Sequence, residues 1–327
     1  MDLLKKKKDR NNKLQSPSRK DLSWRLHRNI GLLVFMTFDL MILGAGVRSM
    51  DAGLTCPDWP LCFGRVVPAF HLGVYLEFIH RALAGLMALF FFGIFVQIFR
   101  NKALQALRST TVVGLFLLIC QIIMGGLTVL KLLEFWTVTL HLMLATGFLA
   151  SLFVLREKLR ISKDSASPTI ANSALFGLSG LGLFFVLGQM VLGALVASTY
   201  AGTICIDFPT CNGQWFPTLV GPIALQMVHR WGAYALGLFT IYFYFHSRGV
   251  GSKNSLLQTR ANRFCMLVGL QFIIGILNLV LQLPPLLTVV HSALAILIFT
   301  NIFLIFSNLW LQLEIRQSKS SPESAPS

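Results

Sequence analysis

The sequence predicts an all-α integral membrane protein: eight transmembrane helices as two tandem, pseudo-symmetric four-helix bundles. Three observations carry this. Of the 327 residues, 55% are hydrophobic and only 13% charged, where a soluble domain carries nearer a quarter charged. Apolar runs of roughly 20 residues recur, each long enough to cross a ~30 Å hydrocarbon core as a helix. The second half of the chain also repeats the first. A shift of 149 carries Cys56 onto Cys205, Pro60 onto Pro209, Cys62 onto Cys211, Gly64 onto Gly213, His80 onto His229 and Arg81 onto Arg230. A shift of 150 carries Gln121 onto Gln271, Gly125 onto Gly275 and His141 onto His291. Two interlocking sets of matches at nearly one offset mark an internal duplication.

The apolar runs fall at 29–48, 74–99, 109–130, 136–156, 173–197, 221–245, 262–282 and 286–312. They give a basic tail (1–28), an N-terminal four-helix half (29–160), a linker (161–172) holding the Ser/Pro stretch Ser162–Pro168, a C-terminal half (173–312) and a second tail (313–327). Residues 1–22 and 317–327, polar and rich in Lys, Ser and Pro, read as disordered. The first run does not read as a cleaved signal peptide, because its basic leader is long and its apolar stretch exceeds a signal's 7–15 residues. It carries Asp39, an intramembrane acid and so a functional candidate. The repeat has Gly188 there, which favours a bond to a neighbouring helix.

The net charge of +15 raises nucleic-acid binding, and its placement argues against it. All but five of the Lys and Arg lie in the two tails and in the alternate loops 100–108, 156–163 and 248–263; the five are Arg48, Arg65, Arg81, Lys131 and Arg230. That is the positive-inside pattern, which puts both termini in the cytoplasm and the cysteine loops on the outer face. The basic tail serves orientation, and it can rest on anionic lipid.

The first outer loop carries Cys56 and Cys62, the second Cys205 and Cys211. On the oxidising side such pairs form disulfides. Structural staples and thiol redox chemistry both fit them. A zinc site fits less well, because it wants four ligands and only His71 is an extra candidate nearby. Cys120 and Cys265 lie within helices as packing residues.

His80, His141, His229 and His291 each lie roughly five to eight residues past the outer start of their helix, about 10 Å deep at 1.5 Å per residue. Each half thus offers two imidazoles at matched depth on parallel helices, the way bundles build cofactor sites. Two imidazoles in apolar surroundings suit axial ligation of haem iron; a non-haem metal would want further protein ligands. Arg81 and Arg230 directly follow two of the histidines. Helical side chains lean toward the helix N-terminus, so each guanidinium points outward, where it could meet a haem propionate or snorkel to lipid phosphate. One position departs from the repeat beside a ligand: Glu77 in the first half faces Gln226 in the second. Glu77 shares a helix face with His80 and is also at a favourable spacing to pair with Arg81.

Cys56-Pro-Asp-Trp-Pro-Leu-Cys62, Glu77-Phe-Ile-His80-Arg81, Met-Val-His229-Arg230 and the histidines of the fourth and eighth helices resemble haem A synthase over residues 28–312. The resemblance implies an enzyme of cytochrome oxidase assembly that oxidises the C8 methyl of haem O to the formyl of haem A. It implies haem b as cofactor in the C-terminal half, on His229 and His291. It implies haem O as substrate in the N-terminal half, on His80 and His141, with Glu77 as the catalytic carboxylate. Haem O synthase and an electron acceptor follow as partners, and a homo-oligomer is compatible with all of this. The rival readings are a dihaem cytochrome b that only moves electrons, a thiol–quinone oxidoreductase built on the cysteines, and a haem exporter. The asymmetry at Glu77 favours chemistry in one half.

Overall fold

The computed structural model describes residues 19–161, 173–250 and 255–320. Among them are eight α-helices: α1 (Arg19–Ser49), α2 (Leu72–Arg100), α3 (Arg108–Leu130), α4 (Phe135–Ile161), α5 (Ser173–Ser198), α6 (Gly221–Val250), α7 (Ser255–Val280) and α8 (Pro285–Ser320). Two short 3₁₀ turns lie at Lys102–Leu107 and Ala201–Thr203. Seven helices are long and apolar enough to cross a membrane. The chain is an all-α membrane protein. The helix that falls short in apolarity is α6, whose Gln226, His229, Arg230, His246 and Arg248 dilute an otherwise apolar run of 30 residues.

Several helices outrun the apolar limits read from the sequence. Residues 19–28, expected in the basic tail, are the opening turns of α1. Their apolar side is buried, with Leu26 and Ile30 in the core, so tertiary packing extends the helix past the point where hydropathy fades. Likewise α8 continues to Ser320, and α4 ends at Ile161, the first residue of the expected linker. The remaining tail residues and 162–172 lie outside the described residues.

Within the N-terminal half α1 packs on α2 and α4, and α3 on α2 and α4; within the C-terminal half α5 packs on α6 and α8, and α7 on α6 and α8. The halves meet through α1 on α8 and through α4 on α5 and α8. Leu149 and Phe153 of α4 and Ile296 of α8 fill that seam, with Phe38 and Met41 of α1 against them. In the first half Leu33, Phe91, Ile94, Leu118, Phe148 and Leu152 form a core; Val186, Phe239, Phe243, Phe264 and Ile302 form that of the second. Both cores occupy the part of the bundle away from the cysteine loops, and the four histidines lie on the loop side of them.

At the loop end of the seam, Arg48 of α1 donates to Ala197 O (2.9 Å) and to Tyr200 Oη (3.1 Å), and Tyr200 Oη approaches Asp51 at 3.4 Å. The guanidinium also lies over the Tyr200 ring, 4.4 Å from its centroid. At the opposite end the buried Glu157 of α4 holds Arg160, 2.8 Å away, lies 3.8 Å from Arg260 of α7, and accepts from Asn308 of α8 at 3.3 Å. Polar clasps thus close both ends of an apolar seam.

Candidate functional site

The cysteine loops sit over the histidine layer, and each is built the same way. Cys56 is bonded to Cys62 and Cys205 to Cys211. In the first loop the Asp58 carboxylate accepts from Phe63 N (2.6 Å) and Gly64 N (2.8 Å). Phe63 and Gly64 both have positive φ, 54° and 68°. They form the tight reversal that closes Cys62 against Arg65, a geometry glycine adopts without steric cost. The second loop repeats this: Asp207 accepts from Asn212 N (2.8 Å), Gly213 N (2.9 Å) and the Thr210 hydroxyl (2.5 Å). The Gly64 amide foremost, aided by Phe63 N and the Arg81 charge, holds the Asp58 carboxyl below the ordinary carboxylate value against desolvation. The Thr210 hydroxyl, then the Gly213 and Asn212 amides, do the same for Asp207.

Each loop is pegged from below by the arginine that follows a histidine. Arg81 donates through Nη1 to Asp58 O (2.6 Å) and Leu61 O (2.8 Å), and through Nη2 to Cys56 O (3.1 Å). Arg230 donates through Nη1 to Asp207 O (2.9 Å) and Thr210 O (2.5 Å), and through Nη2 to Cys205 O (2.6 Å). Both guanidiniums point toward the helix N-terminus, as helical side chains lean, and their Nη atoms end on loop carbonyls. A propionate contact would have to share those donors.

Glu77 is buried beneath the first loop. Its Oε1 pairs with Arg81 at 2.5 Å, and its Oε2 accepts from Cys56 N (2.8 Å) and the Thr55 hydroxyl (3.0 Å). Gln226, at the matching place, donates to Gly202 O at 3.3 Å and leaves its buried Oε1 without a partner. The two halves share the arginine peg and differ in what accepts beside it.

Each of these four helix histidines, His80, His141, His229 and His291, lies against a glycine of a neighbouring helix. A Cβ at Gly44, Gly125, Gly193 or Gly275 would meet Cε1 of His80, His141, His229 or His291 at 3.1, 3.1, 3.3 and 3.0 Å respectively. The glycines themselves obey the shifts: Gly44 maps onto Gly193 by 149, and Gly125 onto Gly275 by 150. Gln121 Nε2 lies 3.2 Å from His141 Nε2, and Gln271 Nε2 lies 3.2 Å from His291 Nε2. His80 and His141 lie within electrostatic reach of each other, as do His229 and His291. The sequence pattern names the histidines and Glu77; Asp58, Asp207 and Gly44 are further site-building residues that the same shift of 149 identifies.

The donor set bears on which group such a site could hold. All four Nδ1 atoms are buried with no hydrogen-bond partner in the protein, and a buried polar atom left unpaired is costly. Among the described residues no three His, Cys, Asp or Glu side chains converge as a metal site, whereas structural and catalytic zinc want three or four protein ligands. A haem iron arrives with four macrocycle nitrogens and asks the protein only for axial ligands. One imidazole pair per half fits that demand.

These features define a class: a helical membrane protein with two imidazole pairs under disulfide-closed loops. The model of the cytochrome oxidase assembly protein family matches residues 28–73 and 69–303, and the chain belongs to that family. It is 27% identical to the heme A synthase of Shewanella oneidensis, over 88% of this chain and 97% of that one. It is 26% identical to the heme A synthase of Halalkalibacterium halodurans, covering 85% and 96% of the two chains. With the heme A synthase of Shouchella clausii it shares 29% identity, over 80% and 89%.

Proposed function

We propose that this protein is a haem A synthase: a membrane oxidoreductase that converts the C8 methyl of haem O to the formyl group of haem A for cytochrome oxidase. Relatives of that name match nearly end to end, and the site has the parts the reaction needs. The observation that carries the reading is the asymmetry beneath the loops, with a buried carboxylate beside one imidazole pair and a carboxamide beside the other.

The two four-helix halves divide the work. His229 and His291 would hold a haem b cofactor, which would supply one-electron redox chemistry. His80 and His141 hold the substrate haem under the first loop. Turning a methyl into a formyl group removes four electrons from that carbon and adds one oxygen atom, so an electron acceptor outside this chain is required. Glu77 takes up a proton or stabilises positive charge beside the methyl as electrons leave. Its fixed bonds to Arg81, Cys56 N and Thr55 favour the electrostatic role. Haem O synthase is the natural supplier of substrate. The loops face outward and both termini lie in the cytoplasm, on the charge asymmetry of the sequence. The test is haem extraction and mass analysis from cells that make haem O, with and without this protein: haem A should appear only with it. Unchanged haem O would leave a haem carrier instead.

A further inference from the structure

Immediately before α2 and α6 the two loops end in matched apolar segments, Val66-Val67-Pro68-Ala69-Phe70 and Trp215-Phe216-Pro217-Thr218-Leu219-Val220. The shift of 149 aligns them, proline on proline. Neither contains an acidic or basic residue. Their side chains point away from the protein: Phe70 is 78% exposed and Phe216 83%, with Val66, Val67, Trp215 and Val220 all above half. They are nonetheless held in place. Phe70 packs edge-on against Tyr75, with ring centroids 4.9 Å apart, and the Tyr75 hydroxyl donates to Pro68 O at 3.4 Å. Phe216 packs on Trp231 at 5.8 Å. In each half, then, an aromatic residue inside the following helix braces an outward-facing apolar strip.

A braced, uncharged, exposed apolar strip in both copies calls for an apolar environment. The second strip runs directly into α6 and the first reaches α2 after His71, next to a helix that exposes Leu83, Leu86 and Leu89 further along. Helix α2 has 29 residues, about 43 Å at 1.5 Å per residue, which outruns a ~30 Å hydrocarbon core. That length leaves an overhang, which at the loop end would fall in the headgroup zone, where Trp and other aromatic rings settle. We propose that the two segments lie in the lipid interface as a pair of monotopic feet, so that the cysteine loops rest on the bilayer instead of standing in water. The same loops accept from Arg81 and Arg230 through their carbonyls, so each loop would be held between the lipid surface and an arginine.

The test is carbene labelling of the purified full chain, with its bound haem, in phosphatidylcholine vesicles. One sample carries a diazirine on the lipid acyl chain near the glycerol; the other receives a water-soluble diazirine. Adducts are mapped by peptide mass analysis. The lipid probe should label 66–70 and 215–220 to within about twofold of the peptide holding Leu86 and Leu89, with aqueous labelling at the level of that same peptide. Phe216→Glu should cut lipid labelling of 215–220 about fivefold while leaving bound haem unchanged. Strong aqueous labelling of either segment, with lipid adducts confined to the helices, overturns the proposal. So does unchanged lipid labelling in Phe216→Glu.

Discussion

Glu77 is the residue at which a structural and a chemical account of the first loop part. It accepts from Cys56 N and Thr55 and pairs with Arg81, yet the second loop stands on Arg230 with Gln226 in place of that carboxylate. Glu77→Gln should therefore fold, keep the stable haem and fail to convert haem O. Normal haem A yield from that variant would return Glu77 to loop support alone. The histidines divide similarly. On the proposed ligand set, His229→Ala or His291→Ala should strip the stable haem from purified protein, read from its absorbance. His80→Ala or His141→Ala should spare it and abolish haem A; identical behaviour of the two pairs would refute the division between halves. The residue types and spacings made these side chains legible in the sequence. The target of the arginines was not, because it depends on where a folded loop turns its carbonyls.

The loop is the element in which local chemistry is densest. A carboxylate caps two turn amides, a disulfide closes the ring, and a guanidinium from the helix below fills it. Arg230→Lys keeps the charge but loses the planar fork, and at least two charged hydrogen bonds go with it. That should cost about 2–3 kcal/mol, read as earlier thermal loss of haem absorbance. The aspartates give the loop a defined acid limit. Their carboxyls lie below the ordinary value in the folded loop, so their contribution is fully present above the unfolded value near 4 and falls as pH drops through the lowered one. Hydrogen exchange at Phe63, Gly64, Asn212 and Gly213 should thus be insensitive to these groups from pH 5 to 8. Protection should be lost only in stronger acid. Helix number and rough placement were legible from apolar runs, but helix ends were not. The opening turns of α1 are basic in sequence and helical through burial of Leu26 and Ile30, a tertiary effect that hydropathy does not register.

Across the whole molecule, charge placement and packing set the expectations. Reporter fusions should put loops 100–108 and 248–263 in the cytoplasm and 198–220 outside; a cytoplasmic 198–220 loop would reverse the orientation proposed here. The α1–α5 clasp adds one further outcome. Arg48→Ala removes bonds to Ala197 and Tyr200 and a cation–π contact, and should lower stability by about 1–2 kcal/mol without loss of haem.

That clasp has a particular arithmetic. Arg48 touches Ala197 and Asp51 touches Tyr200, each residue meeting its own counterpart under the shift of 149. A residue that meets its counterpart stands on a two-fold axis, the contact by which identical subunits of an isologous dimer recognise one another. Here both subunits are spelled out in one chain. In a dimer of identical chains, any substitution appears twice, once at each site, and a carboxylate gained beneath one loop is gained beneath both. Joined end to end, the copies escape that constraint: the same axis now has arginine on one side and alanine on the other, and position 77 carries its acid only once.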